Sequence, residues 1–577
     1  MSGGTDMLRD IQLLIGGEAG QGIETIGQLL AKTLVRAGHE IFVSQSYHSR
    51  IRGGHNTFAV RLGSGPFFAA RESIDILVAL NAESVELHRE QLTERALLVA
   101  DAATAPDQAG TVAVPFAELG PEQLRNTAAL ALIGHILALP AESIDQAMED
   151  LLGRKHPEAL AENREIMEKS REWAALHLPE HDFRLPSLSS PPERLLLNGN
   201  QAIALGALAG GVKFCAFYPM TPATSIALEL INHAETMGCV VEQAEDEIAA
   251  INMAIGASFA GTPSLVPTSG GGFALMTEGV SLAAMTETPV LIVVAQRPGP
   301  ATGMPTRTEQ ADLEFVLHAG HGEFPRAIFA PGSIEECFQL TPRALTLAEQ
   351  SQSPIFLLSD QFLADSTRPI APFDPAALTP VKAGVEPTAA TLPYQRYRLT
   401  ADGLSPRLIP GLSQHLVVAD SDEHDQEGHI SEEHEVRIAM VKKRLRKLDL
   451  LRRECLAPTL DGEKGAALLL VGWGSTQGPL REAVAILREQ GQQVAGLYFS
   501  QLWPLVPSQF LDILQTAGEV VCVEGNATGQ FSRLIQRETD FFILTRIERY
   551  DGLPFTAGYI LDRLENSNLP NGMGVRK

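Results

Sequence analysis

Short apolar runs alternate with helical patterns along this chain, and the alternation starts afresh twice after an interruption. This order of elements is typical of α/β proteins with largely parallel sheets. In the stretch 194–368, apolar runs such as Phe214 to Tyr218 and Val290 to Ala295 are each followed by a helical or loop segment and then a further strand. We therefore expect a doubly wound parallel sheet there, with helices packed on both of its faces.

The two interruptions set the expected domain boundaries. Residues 186–193 concentrate proline and serine and show neither a helical nor a strand period, which is typical of a linker. Residues 369–464 contain many prolines and an acidic run, and we interpret them as a long linker or excursion. The sequence thus predicts α/β domains at 1–185, 194–368 and 465–577.

Composition and charge exclude several functions. The 577 residues include 45 Lys and Arg against 70 Asp and Glu, a net charge of −25 that repels phosphodiester backbones, so we expect no nucleic-acid partner. The apolar run Pro289 to Ala295 is far shorter than the roughly 20 residues that span a bilayer, and the N-terminus lacks a signal-like region. We expect a soluble cytoplasmic protein with no membrane partner.

Metal chemistry on this chain is not expected. The five cysteines are widely scattered and include no CxxC pair, so the ligand set of an iron–sulfur cluster is missing. Three histidines lie five residues apart in the acidic run, a spacing that leaves their rings off a common helix face: His424, His429 and His434.

Polar residues follow four successive strands of the second domain. They are Thr221, Glu247, Ser269 and Arg297. Because the carboxyl ends of parallel strands line one edge of a sheet, we expect these residues to converge on a common crevice. Arg297 has the fork geometry that holds a carboxylate with two hydrogen bonds. The hydroxyls and acids have an alternative interpretation, since both are also favoured at helix N-termini for capping and for the helix dipole.

Two further segments of the first domain could contact an anion. Gly16 to Gly22 follows a strand and opens a helix, where backbone N–H groups can cradle a phosphate, although the glycines could equally serve close strand–helix packing. The second strand, Ile41 to Ser46, ends without the acid that binds ribose hydroxyls, so NAD is not expected. The loop Ser46 to Asn56 carries two arginines and two histidines, and is either an anion contact or a solvated turn.

Four motifs in order resemble the alpha subunit of 2-oxoacid:ferredoxin oxidoreductases. They are Tyr218 to Thr224, Glu245 to Ala257, Thr268 to Met276 and Arg297 to Thr308. The N-terminal segments Gly16 to Gly22 and Ile51 to His55 resemble the gamma domain of the same family, here fused ahead of the alpha part. A fused gamma–alpha chain is more similar to the 2-oxoglutarate branch than to the pyruvate branch.

The resemblance implies a fold and roles for the strand-end residues. The fold is a gamma-type α/β domain, then a thiamine-diphosphate-binding doubly wound sheet, then a transketolase C-terminal-like domain. Glu247, rather than Glu245, matches the glutamate that bonds the aminopyrimidine ring of thiamine diphosphate. Thr221 matches a substrate contact, and Arg297 with Thr306 resembles a carboxylate clamp. The expected cofactor-binding residues also include Tyr218, Pro219 and Ser269.

The resemblance further implies that this chain is half of an enzyme. Mg²⁺ and a [4Fe-4S] cluster are expected on a beta subunit, with coenzyme A as co-substrate, ferredoxin as electron carrier and an (alpha–beta)₂ heterotetramer as the assembly. The implied reaction is the reversible oxidative decarboxylation of 2-oxoglutarate to succinyl-CoA. His48 and Arg52 are the candidate contacts for its second carboxylate. Two alternatives are an enzyme for pyruvate, branched-chain or indolic 2-oxoacids, and a non-catalytic scaffold subunit.

Overall fold

The computed structural model describes residues 10–47, 54–107, 109–153, 157–179, 181–186, 191–374, 378–385 and 392–566. The chain divides into two compact units. The first comprises residues 1–197 with 366–372, and the second comprises 198–365 with 373–577. None of the described helices combines the length and apolar character that a membrane crossing needs.

The elements alternate between strands and helices as the sequence indicates. Those up to residue 198 are β1 (Asp10–Glu18), α1 (Ile23–Arg36), β2 (Glu40–Ser46), β3 (His55–Gly63), β4 (Ile74–Ala79), α2 (Ala82–His88), β5 (Leu92–Asp101), β6 (Thr111–Val114), α3 (Phe116–Leu119), α4 (Arg125–Ile136), α5 (Ala141–Met148), α6 (Pro157–His177) and β7 (Leu195–Asn198).

The middle of the chain continues the alternation, with α7 (Gly199–Ala209), β8 (Phe214–Phe217), α8 (Thr224–Met237), β9 (Val240–Gln243), α9 (Glu247–Phe259), β10 (Ser264–Thr268), α10 (Gly270–Met285), β11 (Val290–Gln296), α11 (Leu313–His318), β12 (Ala327–Phe329), α12 (Ile334–Ser351), β13 (Pro354–Asp360), α13 (Gln361–Asp365) and β14 (Thr367–Ile370). The last part contains α14 (His434–Arg453), β15 (Thr459–Asp461), β16 (Leu468–Trp473), α15 (Gln477–Glu489), β17 (Val494–Phe499), β18 (Gln501–Trp503), α16 (Leu511–Thr516), β19 (Glu519–Glu524), α17 (Gln530–Thr539), β20 (Thr545–Glu548) and α18 (Ala557–Asn566).

The first unit is built on an eight-stranded mixed sheet in the order β6-β5-β4-β1-β3-β2-β14-β7. Strands β1, β4, β5 and β6 are parallel, whereas β3 runs antiparallel to both β1 and β2. Strand β14 lies far along the chain and pairs with β2 through Thr367 and Val43. The chain therefore returns to the first sheet after building much of the second unit.

The second unit contains two sheets. The larger has the order β18-β12-β13-β11-β10-β8-β9, in which β8 to β13 are all parallel and only β18 is antiparallel to its neighbour. Strands β10 and β11 are buried along their whole length, as expected of central parallel strands covered on both faces. The smaller sheet has the order β15-β17-β16-β19-β20. These sheets confirm the predicted α/β class.

A buried cluster of charged residues anchors part of the segment 369–464, which the sequence predicted to be a linker or excursion between the second and third domains. Glu287 follows α10 and is fully buried, and both its carboxylate oxygens accept from Lys443 Nζ at 2.7 Å. Lys447 Nζ lies 2.5 Å from the same carboxylate. Arg396 donates to the Glu287 carbonyl at 2.7 Å. Burial alone would raise the pKa of Glu287, but Lys447, Lys443 and Arg396 hold it well below its usual value.

We predict that Glu287→Gln destabilises the protein strongly, because it leaves Lys443 and Lys447 buried without their anion. Breaking a buried ion pair costs about 3–5 kcal/mol. Urea titration of the free energy of unfolding measures the change. The control is Asp512→Asn, which breaks an exposed pair with Lys464 and should cost less than about 1 kcal/mol. Equal small losses in both variants would contradict the prediction.

Candidate active site

The parallel sheet brings the four predicted strand-end residues to one edge. Strands β11, β10, β8 and β9 are neighbours in that order and run in the same direction. Thr221 follows β8, Glu247 is the first residue of α9, Ser269 is the N-cap of α10 and Arg297 follows β11. Each side chain therefore starts from the carboxyl end of its strand.

A hydrogen bond joins two of these strand ends directly. Arg297 Nη1 donates to the Thr221 carbonyl at 2.7 Å. The Thr221–Pro222 peptide bond is cis, and the buried Asn200 donates to the Pro222 carbonyl at 2.8 Å and to Ser225 Oγ at 2.7 Å. The Thr221 loop is thus held from two sides, by Arg297 and by Asn200.

The structure separates the roles of the acids before α9. Asp246 caps the helix, since its Oδ1 accepts the Ala249 N–H at 2.7 Å. Glu245 is exposed, whereas Glu247 is 4 % exposed. Capping therefore does not account for Glu247. A buried carboxylate is costly unless it has a partner, and this makes Glu247 the functional candidate of the three.

The first turn of α10 makes room for two carboxyl groups. A Cβ atom on Gly272 would collide with Thr268 Oγ1 and lie 2.7 Å from Glu247 Oε1, and one on Gly270 would collide with the Asp312 carboxylate. A Cβ on Gly271 would find nothing nearer than the Ala301 carbonyl at 3.5 Å. The glycines at 270 and 272 are therefore required by close approach, whereas the one at 271 is not.

Two buried polar atoms beside this turn make no hydrogen bond within the described part of the chain. They are Ser269 Oγ and Asp312 Oδ2. Burial raises the pKa of Asp312 to about 6, although Arg297 lowers it. Burial also raises the pKa of the neighbouring Glu309 to about 7, with a contribution from Asp312. Burial lowers the pKa of Arg297 itself. The edge thus holds a half-buried guanidinium and two carboxyls whose pKa values burial raises.

The remaining predicted site residues that the structure describes are more exposed than Glu247 and Ser269. Tyr218 is 39 % exposed and Pro219 is also exposed, both directly after β8. Thr306 is half-buried, and its carbonyl accepts from Arg307 Nη1 at 3.3 Å. His48 and Arg52 lie outside the described residues. The functional roles assigned to all these residues stay predictions.

Sequence reasoning missed Asp312, Glu309 and Gln310, which lie in the loop after Arg307. The available signal was a pair of acids, Glu309 and Asp312, between the Gly and Pro segment that follows Arg297 and an apolar helix. Acids in such a place are ordinary on a surface, and only the burial of Asp312 beside Arg297 distinguishes them.

Comparisons with known proteins agree with this architecture. Residues 205–443 match the family described as "Pyruvate flavodoxin/ferredoxin oxidoreductase, thiamine diP-bdg", and residues 12–173 match "Pyruvate ferredoxin/flavodoxin oxidoreductase". The alpha subunit of 2-oxoacid:ferredoxin oxidoreductase from Sulfolobus sp is 30% identical over 96% of each chain. The chain belongs to the family of 2-oxoacid:ferredoxin oxidoreductase alpha subunits. The family resemblance and the enzyme class predicted from the motifs are confirmed.

Two further relatives of this oxidoreductase subunit have 2-oxoglutarate in their names. The 2-oxoglutarate oxidoreductase subunit KorA of Mycobacterium tuberculosis is 30% identical, over 96% of this chain and 91% of the relative. The solved 2-oxoglutarate:ferredoxin oxidoreductase from Magnetococcus marinus, with 2-oxoglutarate, coenzyme A and succinyl-CoA bound, is 32% identical with a TM-score of 0.90. That match covers 96% of this chain and 99% of the solved chain.

We predict that Gly272→Ala lowers the activity of the assembled oxidoreductase by about tenfold or more, because the new methyl group presses on both Thr268 Oγ1 and the Glu247 carboxylate. Gly271→Ala adds the same methyl group to the same turn at ordinary van der Waals distance from its nearest neighbour, and should retain nearly full activity. The measurement is 2-oxoacid-dependent dye reduction as a function of thiamine diphosphate concentration. Equal activities of the two variants, with equal thermal stability, would show that the approach of Gly272 to Glu247 is unimportant.

Proposed function

We propose that this chain is the alpha subunit of a 2-oxoglutarate:ferredoxin oxidoreductase. With a beta subunit it carries out the reversible oxidative decarboxylation of 2-oxoglutarate to succinyl-CoA and CO₂, and electrons pass to ferredoxin. The observation that carries the proposal is the buried Glu247 carboxylate against the glycine turn of α10, at the same sheet edge as Arg297 bonded to Thr221. The names of the relatives in Mycobacterium tuberculosis and Magnetococcus marinus support 2-oxoglutarate as the substrate.

The residues at this edge fit the aminopyrimidine end of thiamine diphosphate. A buried carboxylate can share a proton with a ring nitrogen. The Ser269 hydroxyl, which has no partner among the described residues, can make a further hydrogen bond. When bound, thiamine diphosphate supplies a carbon nucleophile and an electron sink for decarboxylation. Glu247 would bind the ring nitrogen through a carboxylate oxygen, and Tyr218, Pro219 and Ser269 would help to hold the ring.

Arg297, Thr221 and Thr306 bind the 2-oxo acid end of the substrate. The Arg297 guanidinium is partly desolvated, so its hydrogen bonds to a carboxylate are strong. Its bond to the Thr221 carbonyl fixes the direction in which the remaining N–H groups point. A substrate carboxylate bound by Arg297 would raise the pKa of Asp312 further.

We place the remaining groups on the partner. The five cysteines of this chain include no CxxC pair, and the thiols of Cys215, Cys337 and Cys522 are buried with raised pKa values. The beta subunit would hold Mg²⁺, the [4Fe-4S] cluster and the diphosphate of the shared cofactor. Coenzyme A accepts the acyl group, and an (alpha–beta)₂ assembly gives two such sites.

A substrate panel on the purified alpha–beta complex tests the proposal. We predict that kcat/KM for 2-oxoglutarate exceeds that for pyruvate by about a hundredfold or more, because a site built to pair the second carboxylate would leave its cation unpaired with pyruvate. Arg52→Ala or His48→Ala should reduce 2-oxoglutarate use far more than pyruvate use. A preference for pyruvate, branched-chain or indolic 2-oxoacids would show that one of these acids, and not 2-oxoglutarate, is the substrate. An absence of turnover with every 2-oxoacid would favour a scaffold subunit.

A further inference from the structure

Gln310 joins the loop after Arg297 to the smaller sheet of the second unit. It is 2 % exposed, and all its polar groups form hydrogen bonds to the segments at the ends of β16 and β19. Its backbone N–H donates to the Gly525 carbonyl at 2.6 Å, and the Gly525 N–H donates back to Oε1 at 2.8 Å. Its Nε2 donates to the Trp473 carbonyl at 2.9 Å, and Asn526 Nδ2 donates to its carbonyl at 3.2 Å.

The strand ends that receive Gln310 are shaped for it. Trp473 ends β16, and Gly525 directly follows β19. A Cβ atom on Gly525 would lie 3.3 Å from both Cγ and Oε1 of Gln310. A Cβ atom on Gly474, which has φ of +56°, would lie 2.9 Å from its Nε2. Two glycines therefore stand where any larger residue would press on this one side chain.

The other end of this loop is hydrogen-bonded to β11, the strand that precedes Arg297. The Asp312 N–H donates to Gln296 Oε1 at 3.0 Å, and Gln296 Nε2 donates to the Ser359 carbonyl at 3.1 Å. Gln296 is 1 % exposed and immediately precedes Arg297. Hydrogen bonds therefore join Gln310 to the segment around the ends of β16 and β19. Two residues further along the chain, another hydrogen bond joins Asp312 to the residue before Arg297.

We propose that Gln310 is a positioning residue for the carboxylate clamp. It holds the loop 297–312 on the carboxyl ends of β16 and β19, and so fixes where Arg297 and Thr306 present their donors. The inference deepens the proposed function and rests on it, since it is there that Arg297 and Thr306 bind substrate. The smaller sheet thus helps to shape the substrate site.

The test is Gln310→Glu in the alpha–beta complex. A carboxylate keeps the shape of the side chain and still accepts from Gly525, but it cannot donate to the Trp473 carbonyl. Gln501→Glu is the matched control: Gln501 is also 2 % exposed, accepts the Leu456 N–H at 3.0 Å and donates to the Trp503 carbonyl at 3.2 Å. Both variants thus lose one buried donor to a backbone carbonyl.

We expect Gln310→Glu to raise KM for 2-oxoglutarate about tenfold while kcat changes less than about threefold, and Gln501→Glu to leave KM unchanged. In an Arg297→Ala background, Gln310→Glu should cost much less, because the clamp is already lost. Equal rises in KM for the two glutamine variants, or full additivity with Arg297→Ala, would overturn the inference.

Amide hydrogen exchange of the full-length chain tests the same inference without turnover. Residues 298–312 should exchange at least about tenfold faster in Gln310→Glu than in the wild type, and at the wild-type rate in Gln501→Glu. Unchanged exchange in Gln310→Glu would overturn the positioning role. If the wild type prefers another 2-oxoacid, that acid replaces 2-oxoglutarate in the KM series. The substrate proposal then fails while the role of Gln310 is still decided.

Discussion

The burial of Glu247 against the first turn of α10 is the constraint on which the site depends. That burial is possible because Gly272 has no side chain where Glu247 Oε1 lies. Glycine is about 1 kcal/mol less favourable than alanine inside a helix, so a run of three glycines at 270–272 weakens the start of α10. The fully buried β10 and β11 on either side of α10 in the sequence anchor it nonetheless, and the glycine turn can serve the site.

Electrostatics at the sheet edge follow from desolvation rather than from the overall charge. The chain carries a net charge of −25, yet Arg297 is the group best placed to bind an anion. Its pKa is lowered by burial, and the pKa of Asp312 is raised to about 6 even with Arg297 nearby. Burial therefore outweighs their mutual attraction. Under the proposed function, an incoming carboxylate would give the guanidinium the close partner that Asp312 does not provide, and this would favour anionic substrates locally.

The sequence predicted the parts of the structure that depend on local pattern. Alternating apolar runs and helical patterns predicted the parallel sheet. Motif alignment favoured Glu247 over Glu245; the structure buries the first and exposes the second, and the role of Glu247 stays a prediction. Long-range pairings had no such signal. Gln310 bonds Gly525 at a separation of 215 residues, and Glu287 bonds Lys443 at 156. Single buried polar residues of this kind show no period, so only the folded chain identifies them.

Turnover of Glu247→Gln beside Glu245→Gln tests the central claim most directly. Both variants replace a carboxylate by an amide, two residues apart, but only Glu247 is buried at the α10 turn. With saturating thiamine diphosphate, we predict that the alpha–beta complex loses about 10² to 10⁴-fold in turnover with Glu247→Gln and stays near the wild-type rate with Glu245→Gln. Near-normal turnover of Glu247→Gln, or a larger loss in Glu245→Gln, would contradict the account.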